Sequence, residues 1–278
     1  MSIKQLLSDA KVMIGSNYIA MLLYTFIFLA VSFTLGIVTG FFQNAYVALA
    51  VGIIILVFTI PFSVAYLIVL LKVVRGSDAN PGDLFKETGK QFKMAWKVSL
   101  YFMLKVLIPL VMMIVGLVLI FYVLIQSLRL GYTDPSAIPS TIPNAGGMVL
   151  GGIILTVVGS IWMILVSLKY TLVYFIKYDQ EDMPLKEVFT KSTELMKGSK
   201  VSYFFVIFVV QLILLLIDKC AKQFTANEYI LQAITLFFTM VVTPFLSVLA
   251  ITIYEEKKNE TVPTEPAADV EVKIEENN

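Results

Sequence analysis

Six long apolar runs decide what this chain can fold into: residues 18–42, 45–71, 98–128, 148–178, 201–217 and 229–254. A helix needs about 20 predominantly apolar residues to cross a hydrocarbon core of roughly 30 Å. Five runs meet that length and the fifth in order, 201–217, approaches it. Backbone polar groups in lipid must be satisfied within the segment. The runs are continuously apolar rather than alternating, which excludes an outer-membrane barrel. The first is too long for the roughly 7–15-residue core of a signal peptide and is expected to be retained. Composition agrees: 58% of residues are hydrophobic and 15% charged, against roughly 45–50% and 25% in soluble domains. The expectation is an all-α polytopic membrane protein with six transmembrane helices.

The missing residue types exclude whole reaction classes. There is no histidine and one cysteine, Cys220, so a disulfide framework, a zinc cluster and a histidine-based triad have no components. No apolar run contains Asp or Glu, which leaves a proton relay or buried ion-pair gate without material. Asp179, Glu181 and Asp182 are adjacent acids beside a helix start and read as capping or solvated groups. The protein is therefore expected not to be an enzyme, and to need no cofactor, no metal and no nucleic acid.

Sidedness follows from the basic residues in each loop. The N-terminus, residues 72–97, residues 177–200 and the segment after Tyr254 hold 16 Lys or Arg, against 3 in the intervening loops 43–44, 129–147 and 218–228. The richer side is expected to be cytoplasmic and to carry both termini. Residues 255–278, with eight acids, three lysines and two prolines, read as a disordered acidic tail. Loop 129–147, with Pro135, Pro139 and Pro143, reads as an irregular connection.

Three amphipathic helices are expected on the cytoplasmic side. Ile3, Leu6, Leu7, Ala10, Met13 and Ile14 share one helical face, as do Leu185, Val188, Phe189, Ser192, Leu195 and Met196, at 100° per residue. Pro184 suits the start of the latter, Gly198 its stop, and Gly15 the stop of the former. In the third, Leu84, Phe85, Thr88, Phe92 and Trp96 share or border a face, and Lys86, Lys90, Lys93 and Lys97 line another. Aromatic residues beside a basic stripe suit a helix lying on anionic lipid; Trp96 and the four lysines are the candidate lipid contacts. Lys97-Val98-Ser99 and Lys200-Val201-Ser202 open spans 103 residues apart, the separation of Pro81 from Pro184. Three helix-plus-hairpin units are therefore expected, at 1–71, 81–178 and 184–254, within one membrane domain of residues 1–254.

Within the spans the candidate polar residues are Lys105, Lys169 and Gln211. Both lysines sit towards the cytoplasmic end and can snorkel; Gln211 suits an interhelical hydrogen bond. Pro61, Pro109 and Pro244 are expected kinks. Gly36-x-x-x-Gly40 and Gly147-x-x-x-Gly151 permit close helix approach.

The stretch Ser192-Thr193-Glu194-Leu195-Met196-Lys197-Gly198-Ser199-Lys200, preceded by Tyr170, Tyr174 and Asp179 and followed by a Phe-rich span, resembles bacterial membrane proteins of domain of unknown function 975. These are similar in turn to the membrane domain of some glycerophosphodiester phosphodiesterases. Pro244 followed by Tyr254 resembles that family's last span, although Pro244-Phe245 stands where the family has Pro-Tyr. The resemblance makes Ser192, Leu195, Met196, Lys197, Gly198 and Lys200 the motif residues and implies a bacterial cytoplasmic membrane, with no established reaction. The expected role is a non-enzymatic accessory or scaffold at the cytoplasmic leaflet, contacting anionic membrane lipids or a membrane protein partner. The alternative is a transporter or lipid-handling permease.

Overall fold

The computed structural model describes residues 1–15, 17–42, 44–77, 80–129, 144–225 and 227–261. Among them the chain is all helix: α1 (Ile3–Gly15), α2 (Tyr18–Gly40), α3 (Ala45–Val74), α4 (Asp83–Arg129), α5 (Ala145–Lys169), α6 (Val173–Asp179), α7 (Leu185–Leu195), α8 (Lys200–Phe224) and α9 (Glu228–Thr261). Six helices are long and apolar enough to cross a membrane, with α5 and α6 together making the fourth. This is the architecture of a multi-pass membrane protein, with the six spans where hydropathy places them.

Packing is concentrated at one end of the bundle. Leu6 of α1, Tyr24 of α2, Phe62 and Leu71 of α3, Leu84 of α4, Phe175 of α6, Met196 after α7 and Leu249 and Tyr254 of α9 belong to a single buried cluster. This end, called basal below, gathers α1, α7, the finish of α3, α6 and α9 and the start of α2, α4 and α8. Towards the other end the helices present their large side chains outward: Phe33, Ile54, Val118, Leu150, Leu216 and Phe237 are all exposed. Acyl chains are as apolar as these side chains, so such surface is stable in lipid without protein cover.

The exception away from the base is the α4–α5 hairpin. A Cβ built on Gly116 would lie 2.6 Å from the Gly152 carbonyl oxygen, and one on Gly152 2.7 Å from that of Gly116. One on Gly159 would lie 2.9 Å from the Pro109 carbonyl oxygen. Absent side chains let the two backbones touch. Nothing stands within 4 Å of a Cβ at Gly36, Gly147 or Gly151, so these three glycines, singled out in the sequence, make no such contact.

Pro61, inside α3, has no N–H to donate to the Val57 carbonyl. The Trp96 indole Nε1 donates to that oxygen at 3.2 Å, joining α4 to α3 at the point the proline exposes. Trp96→Phe keeps the ring but removes the donor, leaving a carbonyl unpaired at a cost of about 1–2 kcal/mol. A thermal unfolding temperature in detergent lower by roughly 2–6 °C is the expected reading; an unchanged one means that the bond contributes nothing.

Two sequence expectations are corrected here. The basic amphipathic segment is no separate helix: it forms the first four turns of α4, 47 uninterrupted residues and, at 1.5 Å per residue, about 70 Å of helix. The repeat alignment supplies the reason. Gly198, at φ +84°, breaks the chain between α7 and α8. The residue 103 positions earlier is Ala95, a good helix former, and the helix runs through it. The proposed second unit thus lacks the break that the first and third contain. Residues 255–261, expected in the disordered tail, are instead helical, since α9 continues through Glu255 to Thr261. Residues 262–278 and the prolines of loop 129–147 lie outside the described residues.

Candidate functional site at the basal face

The chemistry-bearing side chains meet where the apolar runs end. Arg75 follows α3, Asp179 closes α6, and Tyr254, Glu255 and Lys258 lie within about one turn of α9. The Arg75 guanidinium donates to both Asp179 oxygens, at 2.8 and 2.7 Å, and through Nε to Glu255 Oε1 at 2.9 Å. Asp179 Oδ2 also accepts from the Tyr254 hydroxyl at 2.8 Å and the Lys258 ammonium at 2.7 Å. Only 11% of the Asp179 side chain is exposed. Burial alone raises a carboxyl, but the hydrogen bonds from Arg75, Lys258 and Tyr254 outweigh it and hold Asp179 well below the usual carboxylate range. The sequence made Asp179 a capping or solvated acid; it is instead the hub of three helix ends. Its partners lie 104 and 79 residues away, which local pattern cannot show.

A second acid, Glu87 on α4, is 3% exposed. Lys72 of α3 donates to its Oε1 at 2.9 Å, Lys90 to the same oxygen at 3.3 Å and Gln91 to Oε2 at 3.3 Å. Glu87 thus ties the finish of α3 to the base of α4. It also divides the lysine stripe. Lys90 is paired to Glu87, and Lys86 to Asp83 at 3.4 Å. Lys93 and Lys97 are exposed and make no ion pair among the described residues. They are also the two lysines nearest the apolar run that starts at Val98.

The motif residues have structural work. The fourth span is broken at Tyr170–Leu172, between α5 and α6, which strands the carbonyl of Lys169 and the N–H of Leu172. The buried Ser192 hydroxyl of α7 donates to the former at 2.9 Å and accepts from the latter at 3.3 Å. Leu195 and Met196 are buried in the basal core, while Lys197 and Gly198 are exposed and Lys200 partly so. No glycine or proline marks the break at Tyr170, so the sequence read one unbroken span with Lys169 inside it. Lys169 is in fact the last residue of α5.

The remaining intramembrane candidates are placed as follows. Lys105 is exposed, with Nζ 5.2 Å from the ring centroid of Tyr101 one turn nearer the base, a snorkelling geometry. Gln211 lines a groove of about 460 Å³ between α5 and α8, with Ile164, Leu168, Tyr203, Phe204 and Phe208. Trp96 is committed to α3, as described. A polar cleft of about 720 Å³ opens at the base between α7 and the end of α9, lined by Lys186, Lys191, Glu194, Lys197, Lys257 and Glu260 among others. No family model, no curated protein and no solved structure matches this chain.

Proposed function

We propose that the protein is a non-enzymatic accessory or scaffold of a bacterial cytoplasmic membrane, holding its basal face in the cytoplasm and recruiting anionic lipid there. The single observation that carries this is the contrast between its two ends. Ion pairs, buried hydrogen bonds and unpaired lysines crowd the base, whereas the far half is largely apolar surface, with the exposed Asp218–Lys222 pair at its end. The excess of basic residues in the basal loops supports a cytoplasmic orientation. The resemblance of residues 170–200 to the bacterial family supports the location.

Pairing along α4 decides which lysines do the recruiting. Lys86 and Lys90 are engaged by Asp83 and Glu87, whereas Lys93 and Lys97 make no ion pair among the described residues and border the apolar run. Lys97 and Lys93 are therefore the headgroup contacts, and each contributes about 1 kcal/mol. In nanodiscs of mixed phosphatidylethanolamine and phosphatidylglycerol, Lys93→Gln with Lys97→Gln should lower the anionic share of the surrounding lipid by several-fold. Lys86→Gln with Lys90→Gln should change it less. Native mass spectrometry of the lipid shell reads this directly, and equal effects of the two pairs would sink the assignment.

A further inference from the structure

The groove between α5 and α8 has the dimensions and the rim of a site for one lipid molecule. These helices are antiparallel neighbours whose basal ends are Lys169 and Lys200. Lys169 directly follows Leu168, which lines the groove, and Lys200 lies one turn before Tyr203, which lines it opposite. From Lys200 to Gln211, at the inner end, is 11 residues, about 16 Å of helix. That is roughly half of a 30 Å hydrocarbon core, the depth of one leaflet. The walls between are apolar and aromatic: Ile164, Leu168, Phe204, Ile207 and Phe208.

The rim is cationic. Lys169 and Lys197 are both close enough to Lys200 for their charges to repel it. None of the three makes an ion pair among the described residues, although Lys197 also borders the polar cleft that contains Glu194. Like charges gathered without a counter-charge cost free energy that an anion would recover. The first N–H groups of α8 add to the attraction.

We infer that the α5–α8 groove binds one anionic phospholipid of the basal leaflet, with an acyl chain along Leu168, Phe204 and Phe208 and the phosphate between Lys169 and Lys200. This site is separate from the Lys93 and Lys97 contacts, which gather lipid around the protein without enclosing a molecule. It stands whether or not they do.

The test is delipidation of the full chain in detergent followed by native mass spectrometry. The chain would first be reconstituted with phosphatidylglycerol alone, phosphatidylethanolamine alone, or the latter with inorganic phosphate. One tightly retained phosphatidylglycerol is expected, with no retained phosphatidylethanolamine and no phosphate adduct. Lys169→Gln with Lys200→Gln should cut the retained fraction about tenfold. Lys169→Arg with Lys200→Arg should keep it, and Lys93→Gln with Lys97→Gln should leave it unchanged. Equal retention of the two lipids by the unaltered protein would overturn the site without relying on any variant. So would undiminished retention in the double glutamine variant, or a phosphate adduct in place of lipid.

Discussion

Gly116→Val should separate α4 from α5 and lower the thermal unfolding temperature in detergent by roughly 6–12 °C. The first added carbon would lie 2.5 Å from Thr156 Oγ1, 2.6 Å from the Gly152 carbonyl oxygen and 2.9 Å from the Thr156 backbone nitrogen. Threonine can rotate away, but the two backbone atoms cannot without moving the whole helix. Overpacking of a fitted interior costs about 1–3 kcal/mol and occasionally more. The upper end applies here because one shift breaks the reciprocal contact at Gly152 and the contact of Gly159 with Pro109. Away from the base these helices have little other protein to hold them, so the loss is not shared. Gly147→Val is the internal control on α5, since nothing stands within 4 Å of its added carbon; it should fall within about 0.5 kcal/mol of the unaltered protein. Equal responses of the two variants would show that the glycine contact is not what holds the hairpin.

Asp179→Ala should produce the second large effect, about 2–3 kcal/mol. Removing one partner of a buried ion pair typically costs about 3–5 kcal/mol. The figure is reduced here because Arg75 and Lys258 are 29% and 43% exposed and are screened by solvent. The same contact gives a pH signature. The folded-state carboxyl is held below its unfolded value, so its stabilisation is complete above the unfolded pKa of about 3.9. It is lost as pH falls from there through the depressed folded value. Unfolding temperatures measured from pH 7 to pH 2 should show the unaltered protein converging on Asp179→Asn only below about pH 4. A constant gap between the two across that range would show that the carboxylate's charge is not what binds the helix ends.

The six spans were legible because twenty consecutive apolar residues have few other stable arrangements. The packing was not. A glycine seam depends on residues of two helices facing one another, and spacing along one helix cannot reveal it; hence Gly147 and Gly151 were singled out while Gly116, Gly152 and Gly159 make the contact. The proline inside the third helix was readable, whereas the Trp96 donor to the carbonyl it leaves free lies 35 residues further on. Trp96 looked like a headgroup anchor because an indole at the end of an apolar run usually is one. The resemblance around Ser192 pointed to a special segment but not to its task of closing the break between α5 and α6. Asp179 was misread for the same reason as the glycines: its partners arrive from other helices. Residues 81–97 formed the clearest amphipathic pattern and were drawn as a separate helix, with a break that Ala95 does not supply, since α4 runs through it.

The placement of α1 against α8 and α9 carries a consequence for synthesis. Met13 meets Thr252, Gln5 meets Glu256, and Ser202 holds the carbonyl of Met1. At about 5–20 residues per second, on the order of ten to fifty seconds pass between the ribosome's release of the first of these partners and the last. During that interval the apolar face of α1 lacks the helix it packs against most. Assembly of the base therefore waits for the emergence of α9. A nascent chain stalled before that helix would expose α1 to the bilayer or to an insertion chaperone.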